Sequence, residues 1–462
     1  MISETSWEKK KLKDLCIKIG SGATPSGGKE NYKTSGISLI RSQNIYNHTF
    51  LYNGLAYIDD EQAKKLNNVD VQQDDVLLNI TGDSVCRCCI VPNEILPARV
   101  NQHVAIIRVD KSKLDPFFLK SFLTNELMQN FMLSLAQTGG TRAALTKGMI
   151  EEFELLVPDL GEQNRISKTL CSLDKKIELN NAINKNLEEM AQALFKRWFV
   201  DFEFPNENGE PYKSSGGAFE KSELGLIPKG WKVGNFQEII LETSGGDWGK
   251  DSPVGNFIKE VSCVRGADIP EIAKGSTGKV PQRFILLKNA EKKSLVAGDI
   301  IVEVSGGSPT QSTGRTAFIT NEVIDKFDHP LICTNFCRVI KSQPRFQEFL
   351  YSYLNCMYKD DLLFQYENGT TGIKNLDLNS LFNVHRIIIP EINIINQYAS
   401  LFSKIHTNIQ HIGEESATLS QIRDTLLPKL MSGEIRVPVE QEYTQSVDLP
   451  MVAEDSEKYS AH

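Results

Sequence analysis

The sequence predicts a mixed α/β (α+β) chain in which two pseudo-repeated globular modules are separated by two long helices paired as an antiparallel coiled coil. Three observations predict it. The chain repeats itself once, each copy passes from short β-rich segments to an aromatic helical stretch, and each copy ends in a long heptad pattern. At 462 residues, 40% hydrophobic and 24% charged, it is long enough for two or three cores.

The repeat emerges when the sequence is slid along itself. At a shift of 224 positions Trp7 falls on Trp231, Asp14 on Glu238, Gly22 on Gly246, Arg41 on Arg265, Ile45 on Ile269, Asp75 on Asp299 and Gly82 on Gly306. LIRSQNI lies beside CVRGADI, and DDVLLNITG beside GDIIVEVSG. Later in each half the shift is 232, matching Pro158 to Pro390 and Leu187 to Leu419. The eight extra residues of the second half lie between Gly306 and Pro390, partly in the polar run SGGSPTQSTGR, and read as a surface loop.

The first module, residues 1–162, shows strand patterns at Leu39–Arg41, Val76–Ile80 and Val104–Val109, then a helical stretch over Pro116–Leu135 whose Asp115-Pro116 reads as a helix start. The segment 163–205 forms the first helical spacer. In it Leu170, Leu173, Ile177, Leu187, Ala191, Leu194 and Trp198 take alternating a and d positions, and a helix over Gln163–Phe199 would measure about 55 Å. Residues 206–395 hold a linker and the second module, with strands at Ile300–Val304 and Phe336–Ile340 and a helical stretch over Arg345–Phe364. The second spacer, 396–437, places Phe402, Ile405, Ile409, Leu419, Arg423, Leu426 and Leu430 where the first has its heptad residues. Asn184 and Ser416 share one a position, a polar interruption that sets register. The acidic tail, 438–462, reads as disordered.

Charge and cysteine content narrow the class. The net charge of −8 is concentrated in residues 201–223 (−4) and 440–462 (−5), so the rest of the chain is near neutral and can still present a basic face to DNA. Nine cysteines with no export signal read as reduced thiols in a cytosol, a cytoplasmic setting. No stretch approaches the roughly 18 to 20 apolar residues of a membrane span. No Walker A loop and no GxGxxG follows a strand, so neither nucleotide nor dinucleotide chemistry is expected. Cys86, Cys88 and Cys89 with His103 lack the C-x2-C spacing of a zinc knuckle, and no metal site is expected. His329, His385 and His411 have no paired nucleophile in the sequence.

The polar loops are the candidates for recognition. Thr81-Gly82-Asp83-Ser84 precedes Arg87, and Ser305-Gly306-Gly307 precedes Arg315; Thr138-Gly139-Gly140-Thr141-Arg142 and Gly369-Thr370-Thr371-Gly372 with Lys374 make a second pair. Backbone N–H groups and hydroxyls in such loops can meet phosphate while a cation neutralises it. Arg41 with Gln43 and Asn44, and Arg265 with Asp268, supply groups able to read base edges. At the end of the first spacer, Phe195, Trp198 and Phe199 are candidates for docking a partner.

These features resemble the specificity (S) subunits of type I restriction-modification systems. The likeness is carried by LEEMAQALFKRWFVDFEFP (187–205), SELGLIPKGW (222–231) and LSQIRDTLLPKLMSGEIRV (419–437), with GDIIVEVSGG, GRTAFI and GTTGIKNLDL in the second module. The resemblance implies two target recognition domains, each reading one half of a bipartite double-stranded DNA site, held apart by the conserved helices. It also implies a chain without catalysis that recruits two modification subunits, which methylate adenine, and two ATP-driven restriction subunits. S-adenosylmethionine, ATP and Mg2+ would then belong to those partners and none to this chain. A specificity subunit serving one fused methyltransferase-nuclease, and a coiled-coil scaffold without DNA binding, are the rival expectations. The acidic tail matches no part of the family pattern.

Overall fold

The computed structural model describes residues 7–138, 143–306, 311–369 and 374–438. They form two compact units, one of residues up to Ser172 with those from Arg423 onward, the other of Leu173–Ile422. No helix among them is long and apolar enough to cross a membrane.

Each unit is built on the same plan. In the first, a four-stranded antiparallel sheet runs Cys16–Ser21, Val104–Val109, Val76–Asn79, Cys88–Ile90. In the second, the order is Ile240–Gly245, Cys337–Ser342, Ile300–Glu303, Thr316–Phe318. A further sheet in each contains one parallel pair, Ile37–Ile40 with Ala98–Val100 and Phe257–Val264 with Leu331–Cys333. A short antiparallel pair completes each module: Glu8–Lys11 with Glu154–Val157, and Lys232–Asn235 with Arg386–Ile389.

The runs Val76–Leu78 and Ile300–Val302 are uniformly apolar because their sheet is covered on both faces. Val76 and Leu78 enter one core with Ala105 and Ile107, while Leu77 enters another with Val104 and Ile106. Likewise Ile300, Val302 and Ile340 face one core, and Ile301 and Val339 the other. The period of two is intact, with apolar packing on both faces. The matched aspartates make the same turn: Asp75 accepts from the Gln72 N–H at 2.7 Å and Asp299 from the Val296 N–H at 3.0 Å.

The long helices are Leu160–Phe195 and Ile392–Met431. Asp159 starts the first three residues earlier than the heptad pattern suggests, its carboxylate accepting from the Glu162 N–H at 2.9 Å. Within the second unit the helices run antiparallel: Lys176 and Asn180 reach Glu415, and Asn184 donates to the Ile409 carbonyl at 3.2 Å. Asn180 and Asn184 are buried there, whereas Leu173, Ile177 and Leu187 are half-buried. Asn184 also donates to the Lys274 carbonyl at 3.1 Å, so this polar position ties the helix pair to a turn of the module.

Candidate nucleic-acid interface

In the first half the candidate residues gather around one buried amide. Asn79, at the end of its strand, donates to the Ser42 carbonyl at 2.9 Å and to the Ser84 hydroxyl at 3.1 Å, joining the Arg41–Asn44 turn to the Thr81–Arg87 loop. The Arg41 guanidinium and the Gln43 amide both donate to the Gly54 carbonyl, and Arg41 lies 5.3 Å from the Tyr32 ring centroid. Gly82 turns the loop at φ 80°, and its N–H donates to the Ala143 carbonyl at 3.3 Å. Arg87 lies over the Tyr46 ring, 4.3 Å from its centroid. Arg41, Gln43, Gly82, Ser84 and Arg87 are thus brought together. Thr141 and Arg142 lie outside the described residues.

Asn44 requires a correction as a base reader. It is fully buried, its oxygen accepting from the Arg41 N–H at 3.0 Å and its amide donating to the Leu51 carbonyl at 2.8 Å. The side chain is spent on holding the turn. Asp268 does the same in the second half and is corrected likewise. It is 3% exposed and takes the Arg265 N–H at 3.0 Å and the Arg265 guanidinium at 2.8 and 2.9 Å. Burial alone would raise its pKa, but the hydrogen bonds from Arg265 hold the carboxyl below its ordinary range.

The second cluster forms around a carboxylate. Glu303, at the end of the matching strand, receives the Arg315 guanidinium on both oxygens, with Nε at 2.7 Å. Its carboxylate lies where a Cβ on Gly266 or Gly306 would stand, so the Arg265 turn and the Gly306 loop meet beside it. Gly306 pairs with Lys374 across a short ladder; Lys374 bonds Glu367 at 2.9 Å and lies 4.6 Å from the Phe364 ring centroid. Gly307, Thr370 and Thr371 lie outside the described residues. Arg265, Gly306, Arg315 and Lys374 are therefore gathered, each cation beside a carboxylate: Asp268, Glu303 or Glu367.

Asn79, Glu303 and Tyr46 were not among the candidates, although the 224-residue shift places Asn79 on Glu303 inside matched strings. That substitution of an amide by an acid, in otherwise similar surroundings, was the available signal.

Phe195, Trp198 and Phe199 are corrected as a partner surface. They are 2%, 6% and 6% exposed and sit in the aromatic core of the second unit, Phe199 being 4.9 Å from both Phe349 and Tyr398. At the 232-residue shift Leu427, Leu430 and Met431 are buried in the core of the first unit with Phe118 and Leu119. The end of each long helix supplies core to a module.

Among the described residues no group of three or more His, Cys, Asp or Glu is arranged to hold a metal. Burial pushes the thiols of Cys86 and Cys88 up to about 12, and the His103 ring bonds the Thr81 hydroxyl at 2.6 Å.

A family model described as "Type I restriction modification DNA specificity domain" matches residues 4–189. The chain is 26% identical over 439 residues to the type I restriction enzyme MjaIX specificity subunit of Methanocaldococcus jannaschii, covering 93% of this chain and 94% of that one. It is 25% identical over 446 residues to the HindI specificity subunit of Haemophilus influenzae, covering 86% and 94%. The crystal structure of a type I restriction-modification S subunit from M. genitalium aligns over 93% of this chain and 97% of that one with a TM-score of 0.55, at 14% identity, a likeness of fold.

Proposed function

Because the chain belongs to the family of specificity subunits of type I restriction-modification systems, a DNA-recognition family, we propose that it reads a bipartite DNA target with one module per half-site. The observation that carries this is the repetition of one polar cluster in both halves: an arginine turn beside a strand end, a glycine loop, and a second arginine facing that strand end. Each cluster offers guanidinium, amide or hydroxyl groups at a folded edge, the chemistry of phosphate positioning and major-groove reading.

On this reading the chain contributes no catalytic group and acts in the cytoplasm in restriction of foreign DNA. It assembles with two modification subunits and two restriction subunits, and S-adenosylmethionine, ATP and Mg2+ are held by those partners. Flipping of the target adenine, which costs a few kcal/mol of stacking and pairing, falls to the modification subunit.

The test is co-expression with the modification subunit in a host lacking adenine methylation, followed by single-molecule sequencing. Methylation at a split motif with a fixed gap supports two readers. Methylation of a continuous motif, or a stable complex that methylates nothing, overturns the proposal.

A further inference from the structure

We infer that the residue ending one strand in each half, Asn79 in the first and Glu303 in the second, is a positioning residue that decides how the arginine opposite it is used on DNA. This rests on the DNA-recognition reading above. The backbone sets the two pairs identically: the Asn79 N–H donates to the Arg87 carbonyl at 2.8 Å, and the Glu303 N–H to the Arg315 carbonyl at 2.9 Å. Arg87 and Arg315 therefore occupy the same ladder place, although the loop between is four residues longer in the second half.

The side chains differ in kind. Asn79 gives its amide hydrogens to Ser42 and Ser84 and offers no charge, and no carboxylate among the described residues pairs with Arg87, which rests on the Tyr46 ring. A guanidinium without a counter-charge draws phosphate and releases its condensed cations. Glu303, itself 3% exposed, takes Arg315 on both oxygens, cancelling its charge and fixing its plane. Five N–H donors in a rigid fork leave edges free after such a pairing, and the Arg315 side chain is still 25% exposed. Held this way, Arg315 is suited to a base edge, where orientation decides recognition, and poorly suited to a phosphate, where net charge does. Arg87 grips; Arg315 reads.

The experiment uses the full-length chain assembled with its modification subunit and duplexes carrying the methylated site, with affinity measured from about 50 to about 200 mM salt. Arg87→Gln is expected to lower the slope of log affinity against log salt by about one and to weaken all sequences alike. Arg315→Gln is expected to leave the slope unchanged and to flatten the base preference at one half-site by at least about five-fold. The reciprocal exchange separates positioning from mere support. Asn79→Glu should lower the slope by about one, and Glu303→Gln should raise it by about one. Equal slopes for the two arginine variants, or exchanges that move the slope the same way or not at all, overturn the inference. Should Glu303→Gln fail to fold, Asn79→Glu and Arg315→Gln still decide it. A wild-type complex without sequence preference would instead overturn DNA recognition itself.

Discussion

At Gly22 and Gly246 the chain passes so close to a neighbouring strand that a methyl group has no room. A Cβ on Gly22 would meet the carbonyls of Val100 and Asn101, and one on Gly246 those of Cys333 and Thr334. Backbone cannot swing aside as a side chain does, so Gly22→Ala and Gly246→Ala are each expected to cost about 1–3 kcal/mol, read as a lower melting temperature. An unchanged melting temperature would show that the strand gives way. The sequence marked these glycines only as a matched pair; the reason lay in a contact to a strand some eighty residues away. Thiols follow a similar logic. Nine cysteines read as reduced thiols, and none of them forms a disulfide in the structure, but their reactivity depends on burial. With Cys86 and Cys88 raised to about 12, both should react with iodoacetamide at pH 8 at least about 100-fold slower than free cysteine until the protein unfolds. Rapid labelling of either in the native protein would contradict that burial. Asn44 and Asp268 show the limit at this scale: residue type suggested base reading, and only the fold reveals both as turn-closing acceptors.

Helical periodicity identifies which face of an element is apolar but not what covers it. The long helices were legible to within a few residues, yet their heptad leucines Leu173, Ile177 and Leu187 are half-buried while Asn180 and Asn184 are sealed. The aromatic residues at the end of the first long helix read as a partner surface because the sequence does not show that the next module closes over them. Their burial gives a test: Trp198→Ala should cost about 3–5 kcal/mol and Leu430→Ala about 2–5, each measured by denaturant unfolding. Neutral substitutions would return these positions to the surface. The second long helix also carries a pH dependence. His406 is 4% exposed, stacked on Phe402 at 5.7 Å, and neither ring nitrogen has a hydrogen-bond partner among the described residues. Burial lowers its pKa from 6.5 to about 4, against the opposing influence of Glu322; Lys326 lowers it further. Between those values the unfolded chain binds the proton and the folded one does not, so stability rises with pH there. As pH falls from about 6.5 to about 4 the loss amounts to about 3 kcal/mol at most, and it should vanish in His406→Phe. His385, also lowered by burial, acts in the same direction; Glu348, raised by burial from its ordinary 4.5, acts in the opposite one as pH passes above 4.5. Identical pH profiles for wild type and His406→Phe would remove this histidine from the account.

For the molecule as a whole, the twofold plan was the most legible feature, because a repeat needs no tertiary information to be seen. Gly22 with Gly246, Asp75 with Asp299 and Asn79 with Glu303 keep corresponding places in two similarly ordered sheets. What the repeat could not convey is that the module core is not contiguous in sequence: Leu427, Leu430 and Met431 pack with Trp7, Leu12 and Phe118. That fact sets the terms of a module exchange. Replacing residues 7–158 by the corresponding segment of another family member, with both long helices left native, should change one half of the methylated motif and leave the other half and the gap as they were. The incoming segment must accept the native Leu427, Leu430 and Met431, so a graft that melts early calls for a donor with similar residues at the end of its second helix. A change in both halves of the motif would mean that reading is shared between the modules, and the one-module, one-half-site assignment would fall. A change in the gap alone would place a determinant of spacing in the exchanged segment.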